Sequence, residues 1–221
     1  MTKGSTAPTP VLYLHGFASS PESTKATFFA GKLAEHGVPL VAPDFNLPDF
    51  RTLTFTRMLA QLEQHLAAVG GRATLIGSSL GAALAVLAAV RFGAAVEKLV
   101  LLAPAVMVAR PGHSLLPPEQ IAEWQHRGSQ TFFHYAYGEE RLLDFSFYAD
   151  SLTHDAFDAV FTQPTLIFQG LHDTVVNPRT VEQFASGRSN VTLSLLEDDH
   201  QLGRSLDRMW YGIEDFLGLV E

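Results

Sequence analysis

The strongest constraint in this chain is a helix with almost no polar face. Leu80, Ala82, Ala83, Leu84, Ala85, Val86, Leu87, Ala88, Ala89 and Val90 follow one another with only Gly81 between them. A surface helix keeps one polar side, so a helix apolar nearly all round belongs in the centre of a fold. Its alanines let it lie close against a sheet. Just before it, Ala73 to Ile76 reads as a buried strand, and the junction is Gly77-Ser78-Ser79-Leu80-Gly81, the pattern G-x-S-x-G. Such a junction bends a strand sharply into a helix. The glycines permit the bend, and the serine hydroxyl is pushed out at the top of the sheet.

The same alternation runs along the chain. Val11 to Leu14, Leu40 to Ala42, Leu99 to Leu102, Leu166 to Phe168 and Val191 to Leu196 read as further strands. Between them, Ala26, Phe29, Ala30 and Leu33 keep a helical period, as do Phe55, Met58, Leu59, Leu62 and Leu66 behind a Thr54 N-cap. Asn177-Pro178 starts another helix, and a last one runs from about Ser205 to Phe216. Strand and helix in strict turn predict an α/β fold, a parallel sheet of about six strands with helices on both faces. With 221 residues, 47% of them hydrophobic, residues 1–221 suit one such domain. Residues 104–160 break the rhythm with Pro104, Pro111, Pro117 and Pro118, a helix near 118–126 and many aromatics. That stretch is too long for an ordinary connection and reads as a small, mostly helical cap inserted after the fourth strand.

A net charge of −8 with no Lys/Arg run argues against a nucleic-acid or anionic-membrane partner. The chain has no cysteine, which removes disulfides, thiolate nucleophiles and Cys-based metal sites. The short polar start, Met-Thr-Lys-Gly-Ser-Thr, lacks the apolar core of a signal peptide, and no apolar run is long enough to span a bilayer. The expected location is cytoplasmic, with no cofactor and no metal.

Acyl transfer needs a nucleophile, a base, a group to orient the base, and donors for the oxyanion. Ser79 is the candidate nucleophile. Asp173 follows the fifth strand in Gln169-Gly170-Leu171-His172-Asp173, and His200 follows the sixth in Glu197-Asp198-Asp199-His200. Serine, aspartate and histidine thus stand in this order at three strand ends, where sheets of this type carry their functional groups. Asp198 and Asp199 are too near His200 in sequence to reach around its ring easily, and His172 reads as a loop-shaping neighbour. The backbone N–H of Leu80, at a helix start, is one oxyanion donor, and that of Phe17, in the loop His15-Gly16-Phe17 after the first strand, is the other. His15 reads as a buried histidine that shapes this loop.

These residues resemble the α/β-hydrolase superfamily, and more narrowly the small bacterial esterases of YqiA type. The narrow match lies in Tyr13-Leu14-His15-Gly16-Phe17-Ala18-Ser19-Ser20-Pro21, with Ser23 and Lys25-Ala26, and in Ile76 to Gly81. The resemblance implies a serine carboxylesterase or acyl thioesterase whose partner is a small acyl ester or thioester. Larger members open with two extra antiparallel strands. Only about ten residues precede the first strand here, so the expected core is trimmed.

On the substrate side, Met107, Phe133 and Phe147 are the candidate pocket residues, drawn from an insertion rich in aromatic rings. Lys25, Arg110, Arg127 and Arg141 are the cations that acyl-CoA phosphates would need. Two other classes compete. A dinucleotide-binding oxidoreductase would want G-x-G-x-x-G after the first strand, and the glycine turn here follows the third. A receptor-like, non-catalytic hydrolase fold would keep these residues without turnover, and a serine-dependent perhydrolase or C–C hydrolase would use the same ones.

Overall fold

The computed structural model describes residues 8–108, 110 and 116–220. The polar N-terminal stretch 1–7 and Pro111 of the insertion lie outside the described residues. Six strands form one parallel sheet: β1 (Val11–Leu14), β2 (Leu40–Val41), β3 (Ala73–Ser78), β4 (Val96–Leu102), β7 (Thr165–Gly170) and β8 (Val191–Leu196). Their order across the sheet is β2-β1-β3-β4-β7-β8. These are the six strands expected from the apolar runs, because strands covered on both faces read as continuous hydrophobic segments.

The order of the strands decides where the helices go. From β1 the chain steps outward to β2 through α1 (Thr24–Glu35), returns to β3 through α2 (Phe55–Ala68), then steps the other way through α3 (Leu80–Phe92). Parallel crossovers are right-handed, so a reversed step puts its helix on the opposite face. One apolar cluster therefore joins α2, α3 and α6 (Pro178–Ala185) to the inserted segment. A second joins α1 and α7 (Leu206–Leu217) on the other face. The reversal between β1 and β3 splays the loops after these two strands apart, and such a switch point is where open α/β sheets bind ligands.

Local chemistry sets the helix starts. Thr54 accepts a hydrogen bond from Arg57 N–H at 3.0 Å, Ser23 accepts one from Ala26 N–H at 3.4 Å, and Asn177 accepts one from Arg179 N–H at 3.0 Å ahead of Pro178. α3 differs, because Ser79 precedes it without capping it. All ten residues from Leu80 to Ala89 are buried, as its composition demands.

The insertion between β4 and β7 holds α4 (Pro118–Arg127), an antiparallel hairpin of β5 (Ser129–His134) and β6 (Glu139–Asp144), and α5 (Ser146–Ser151). The two helices match a helical cap, while the hairpin adds a strand element that the sequence does not advertise. Its turn is Tyr135-Ala136-Tyr137-Gly138 rather than Asn-Gly, and its strands are half exposed. Trp124 pins α4 to the hairpin by donating its indole N–H to Leu143 O at 2.9 Å. No helix among the described residues is long and apolar enough to cross a membrane.

Candidate active site

Ser79 sits at the β3–α3 junction with φ 52° and ψ −112°, a conformation in which a non-glycine residue is strained. The neighbouring glycines explain how the chain tolerates it. A Cβ on Gly81 would run into the Leu14 carbonyl and lie 2.6 Å from His15 O, and one on Gly77 would lie 2.6 Å from Ala82 Cα. The elbow can therefore press against β1 only without a side chain at Gly81, and β3 can meet the start of α3 only without one at Gly77. Gly81→Ala is expected to destabilise the fold by about 1–3 kcal/mol, since backbone carbonyls cannot move aside as a flexible side chain would. A lowered urea midpoint at unchanged slope is the measurement.

Because the Ser79 side chain does not cap α3, its hydroxyl is left for another partner. It donates to His200 Nε2 at 3.1 Å, while His200 Nδ1–H donates to Asp173 Oδ2 at 2.8 Å. The ionised carboxylate can only accept, so Nδ1 carries the imidazole proton and Nε2 is the acceptor. Asp173 is buried. Burial alone would raise its pKa, but bonds from His200, the Val176 N–H and Gln169 outweigh it and hold the carboxyl below the usual range. Oδ1 accepts from Val175 N–H at 2.8 Å and Val176 N–H at 2.7 Å, and Oδ2 also accepts from Gln169 Nε2 at 3.0 Å.

Three strand-end loops must meet for this row to form. Gly170, the last residue of β7, lets the His200 loop cross at contact distance: a Cβ there would lie 2.5 Å from the carbonyls of both Asp198 and Asp199. Asp198 is buried and shapes the turn, accepting from Asp199 N–H at 2.9 Å and Arg204 N–H at 3.0 Å. Asp199 accepts from Gln201 N–H at 2.8 Å, and Lys25 Nζ donates to Gln201 O at 2.7 Å. Neither aspartate hydrogen-bonds the His200 ring. His172 turns outward to Glu197 at 3.0 Å on the surface.

The loop after β1 comes up beside the elbow. Gly16 lies so close that a Cβ would meet Ser78 O at 3.3 Å and Ser79 Cβ at 3.5 Å. His15 is buried and locks the start of this loop, its Nδ1–H donating to Gly16 O at 2.9 Å and its Nε2 accepting from Phe45 N–H at 3.1 Å. Among the described residues neither Phe17 N–H nor Leu80 N–H donates a hydrogen bond. The inserted hairpin grips the same loop. Ala136 N–H donates to Ala18 O at 3.3 Å, Asn46 Nδ2 donates to Ser19 O at 2.8 Å, and buried His134 Nε2–H donates to Asn46 Oδ1 at 3.1 Å. The Phe17 ring packs on Phe132 and Phe147 with centroids 5.5 and 5.7 Å away.

A cleft of about 1040 Å³ opens over Ser79 and His200. Phe147 lines it, as do Trp124, Phe132, Leu143 and Tyr148. Two of the three expected pocket residues lie elsewhere. Phe133 is 46% exposed and packs on Tyr135, because successive residues of a strand face opposite sides and Phe132 takes the inward position. Met107 lines a separate cavity of about 70 Å³ with Phe55, Ala83 and Leu87. Asn46, Trp124 and Leu143 escaped the sequence reading. No motif marks them: the docking of the insertion brings Trp124 and Leu143 to the site, and the loop after β2 brings Asn46 to the Ser19 carbonyl.

The profile of the uncharacterised protein family UPF0227 matches residues 10–217. The chain belongs to this family. No curated protein matches it in sequence. Among solved structures, Est1E from Butyrivibrio proteoclasticus with ferulic acid bound superposes with a TM-score of 0.81 at 22% identity, over 98% of this chain and 91% of that one. Mouse alpha/beta hydrolase domain-containing protein 10 gives 0.78 at 21% identity, over 96% and 90%. The monoacylglycerol lipase of Paleococcus ferrophilus gives 0.78 at 14% identity, over 95% of each chain. The fold is that of the α/β hydrolases.

Proposed function

We propose that this protein is a serine hydrolase that cleaves carboxylic esters through an acyl-enzyme intermediate. The observation that carries the reading is the hydrogen-bonded row Ser79 Oγ, His200 Nε2/Nδ1, Asp173 Oδ2. Ser79 Oγ attacks the acyl carbon while His200 Nε2 takes its proton. The oxyanion is held by the N–H groups of Phe17 and Leu80, the latter at the positive end of α3. On collapse the bond to the alcohol oxygen breaks, and His200 returns the proton to that oxygen. Water, deprotonated by the same histidine, then releases the acid and regenerates Ser79. Asp173 holds the imidazole in the required tautomer throughout.

The aromatic wall of Trp124, Phe132 and Phe147 suits an aryl or medium-length alkyl acyl group. A ferulic-acid complex of a protein with the same fold supports that reading. Oxygen esters are favoured over CoA thioesters because three of the four candidate cations are engaged elsewhere, Arg110 with Asp158 at 2.6 Å, Arg127 with Glu123 at 2.6 Å and Arg141 with Glu139 at 2.5 Å, and of the four Lys25 alone lines the cleft. A panel of p-nitrophenyl esters and acyl-CoAs, run beside fluorophosphonate labelling, tests the proposal. The expected result is ester turnover and a single label on Ser79. Absence of both in folded protein would sink it.

Asn46 is the positioning residue of this scheme, since it ties the Phe17 loop to the cap. Asn46→Ala is expected to lower kcat about tenfold with little change in KM, because a displaced donor weakens the transition state more than ground-state binding. A loss confined to KM would remove this role from Asn46.

A further inference from the structure

The cleft has two arms of opposite character, one on each face of the sheet. The arm on the α2–α3 face runs under the cap and is aromatic. The other, on the α1–α7 face, is lined by Ser20, Ser23, Thr24, Lys25 and Gln201, with Leu206 the apolar residue beside them. Tyr13 stands at its floor, in the cluster that α1 and α7 build. Its hydroxyl is buried near those of Ser23 and Ser78, and burial pushes its pKa up to about 12 against the opposing pull of these two hydroxyls.

Which half of an ester enters this arm follows from the chemistry, and so the inference rests on the acyl-transfer reading above. The leaving oxygen must take its proton from His200 Nε2, so the alcohol half lies on the His200 side. Gln201 is the next residue, and Lys25 is bonded to its carbonyl. From this the geometry points to a polyhydroxylated, uncharged alcohol, a polyol or sugar, as the leaving group. A bare alkyl chain there would cover several hydroxyl, amide and ammonium groups without pairing them. An anionic alcohol is disfavoured because the Lys25 charge already faces Asp173, Asp198 and Asp199, and Glu22 lines the same arm.

The test compares three esters of one acid: methyl, 1-glyceryl and glycerol 3-phosphate. Wild-type kcat/KM for the glyceryl ester is expected to exceed that for the methyl ester by about tenfold or more, the worth of two or three recovered hydrogen bonds. The phosphorylated ester gains nothing further. Thr24→Val, which keeps the side-chain shape, and Lys25→Met each move the glyceryl-to-methyl ratio toward one. Equal wild-type values for the methyl and glyceryl esters overturn the inference, as does a preference for the phosphate ester. Fluorophosphonate labelling separates the two levels. A Ser79-labelled protein with a flat ratio refutes the alcohol arm alone, and unlabelled protein that turns over none of the esters refutes the hydrolase reading with it.

Discussion

Ser79→Ala is expected to lower kcat/KM for any ester the protein hydrolyses by at least about 10⁴-fold, the usual cost of losing a nucleophile whose partners act as a unit. The fold should survive, because the Ser79 hydroxyl caps no helix and, among the described residues, donates only to His200. The backbone bonds of the elbow, from Ser79 N–H to Leu102 O at 2.9 Å and from Ala105 N–H to Ser79 O at 3.2 Å, are independent of the side chain. Thermal midpoints of wild type and variant should therefore agree within a few degrees. His200→Ala should cost about as much, and the double variant little more than either single one. Steady-state rates with a p-nitrophenyl ester, and intact mass after fluorophosphonate treatment, measure all three. A folded Ser79→Ala protein with more than a few per cent of wild-type activity would remove Ser79 from the mechanism.

Asp173→Asn is the second large effect, and its cause is a reversed proton. The asparagine oxygen can still accept from the Val175 and Val176 N–H groups, which fixes its orientation. Its NH₂ then faces Gln169 Nε2 and His200 Nδ1, where Asp173 Oδ2 now accepts. His200 must turn Nδ1 into an acceptor, which moves the ring proton to Nε2 and aims it at Ser79. A histidine that donates to the serine cannot take its proton. The expected loss in kcat is about 10⁴-fold, with KM much less affected. Two donors opposed on buried Gln169 should also lower stability, so a reduced urea midpoint should accompany the rate loss. An Asn variant that keeps wild-type kcat would show that the carboxylate plays no part in setting the tautomer.

The parts of the molecule readable from sequence share one property, that their neighbours are uniform. Val11–Leu14 and Ala73–Ser78 are covered on both faces, so every residue is apolar or small whatever lies above it, and the run itself announces the strand. α3 announces its own burial for the same reason. The Ser79, Asp173 and His200 positions are legible because a parallel sheet sends all its strand ends to one edge, so order along the chain predicts proximity in space. The inserted segment lacks that regularity. Phe132 and Phe133 are indistinguishable as letters, yet a strand turns one into the cleft and the other to solvent. Met107 follows the fourth strand as a pocket residue would, but it lines the small cavity beside Phe55, Ala83 and Leu87 instead.

By itself, the sequence determined a six-stranded parallel sheet, a strained serine elbow and the chemical types that stand at three strand ends. These follow from local rules: burial demands apolar runs, sharp turns demand glycine, and parallel crossovers have one hand. Only the tertiary structure decided that the cap hairpin reaches across to Ala18 and, through His134 and Asn46, to Ser19. It alone set the aromatic rings of the cap and the hydroxyls of Ser20, Ser23 and Thr24 along one cleft. Those contacts join residues far apart in the chain through single hydrogen bonds and ring faces. Each depends on where the whole insertion docks, and no local pattern of residues records it.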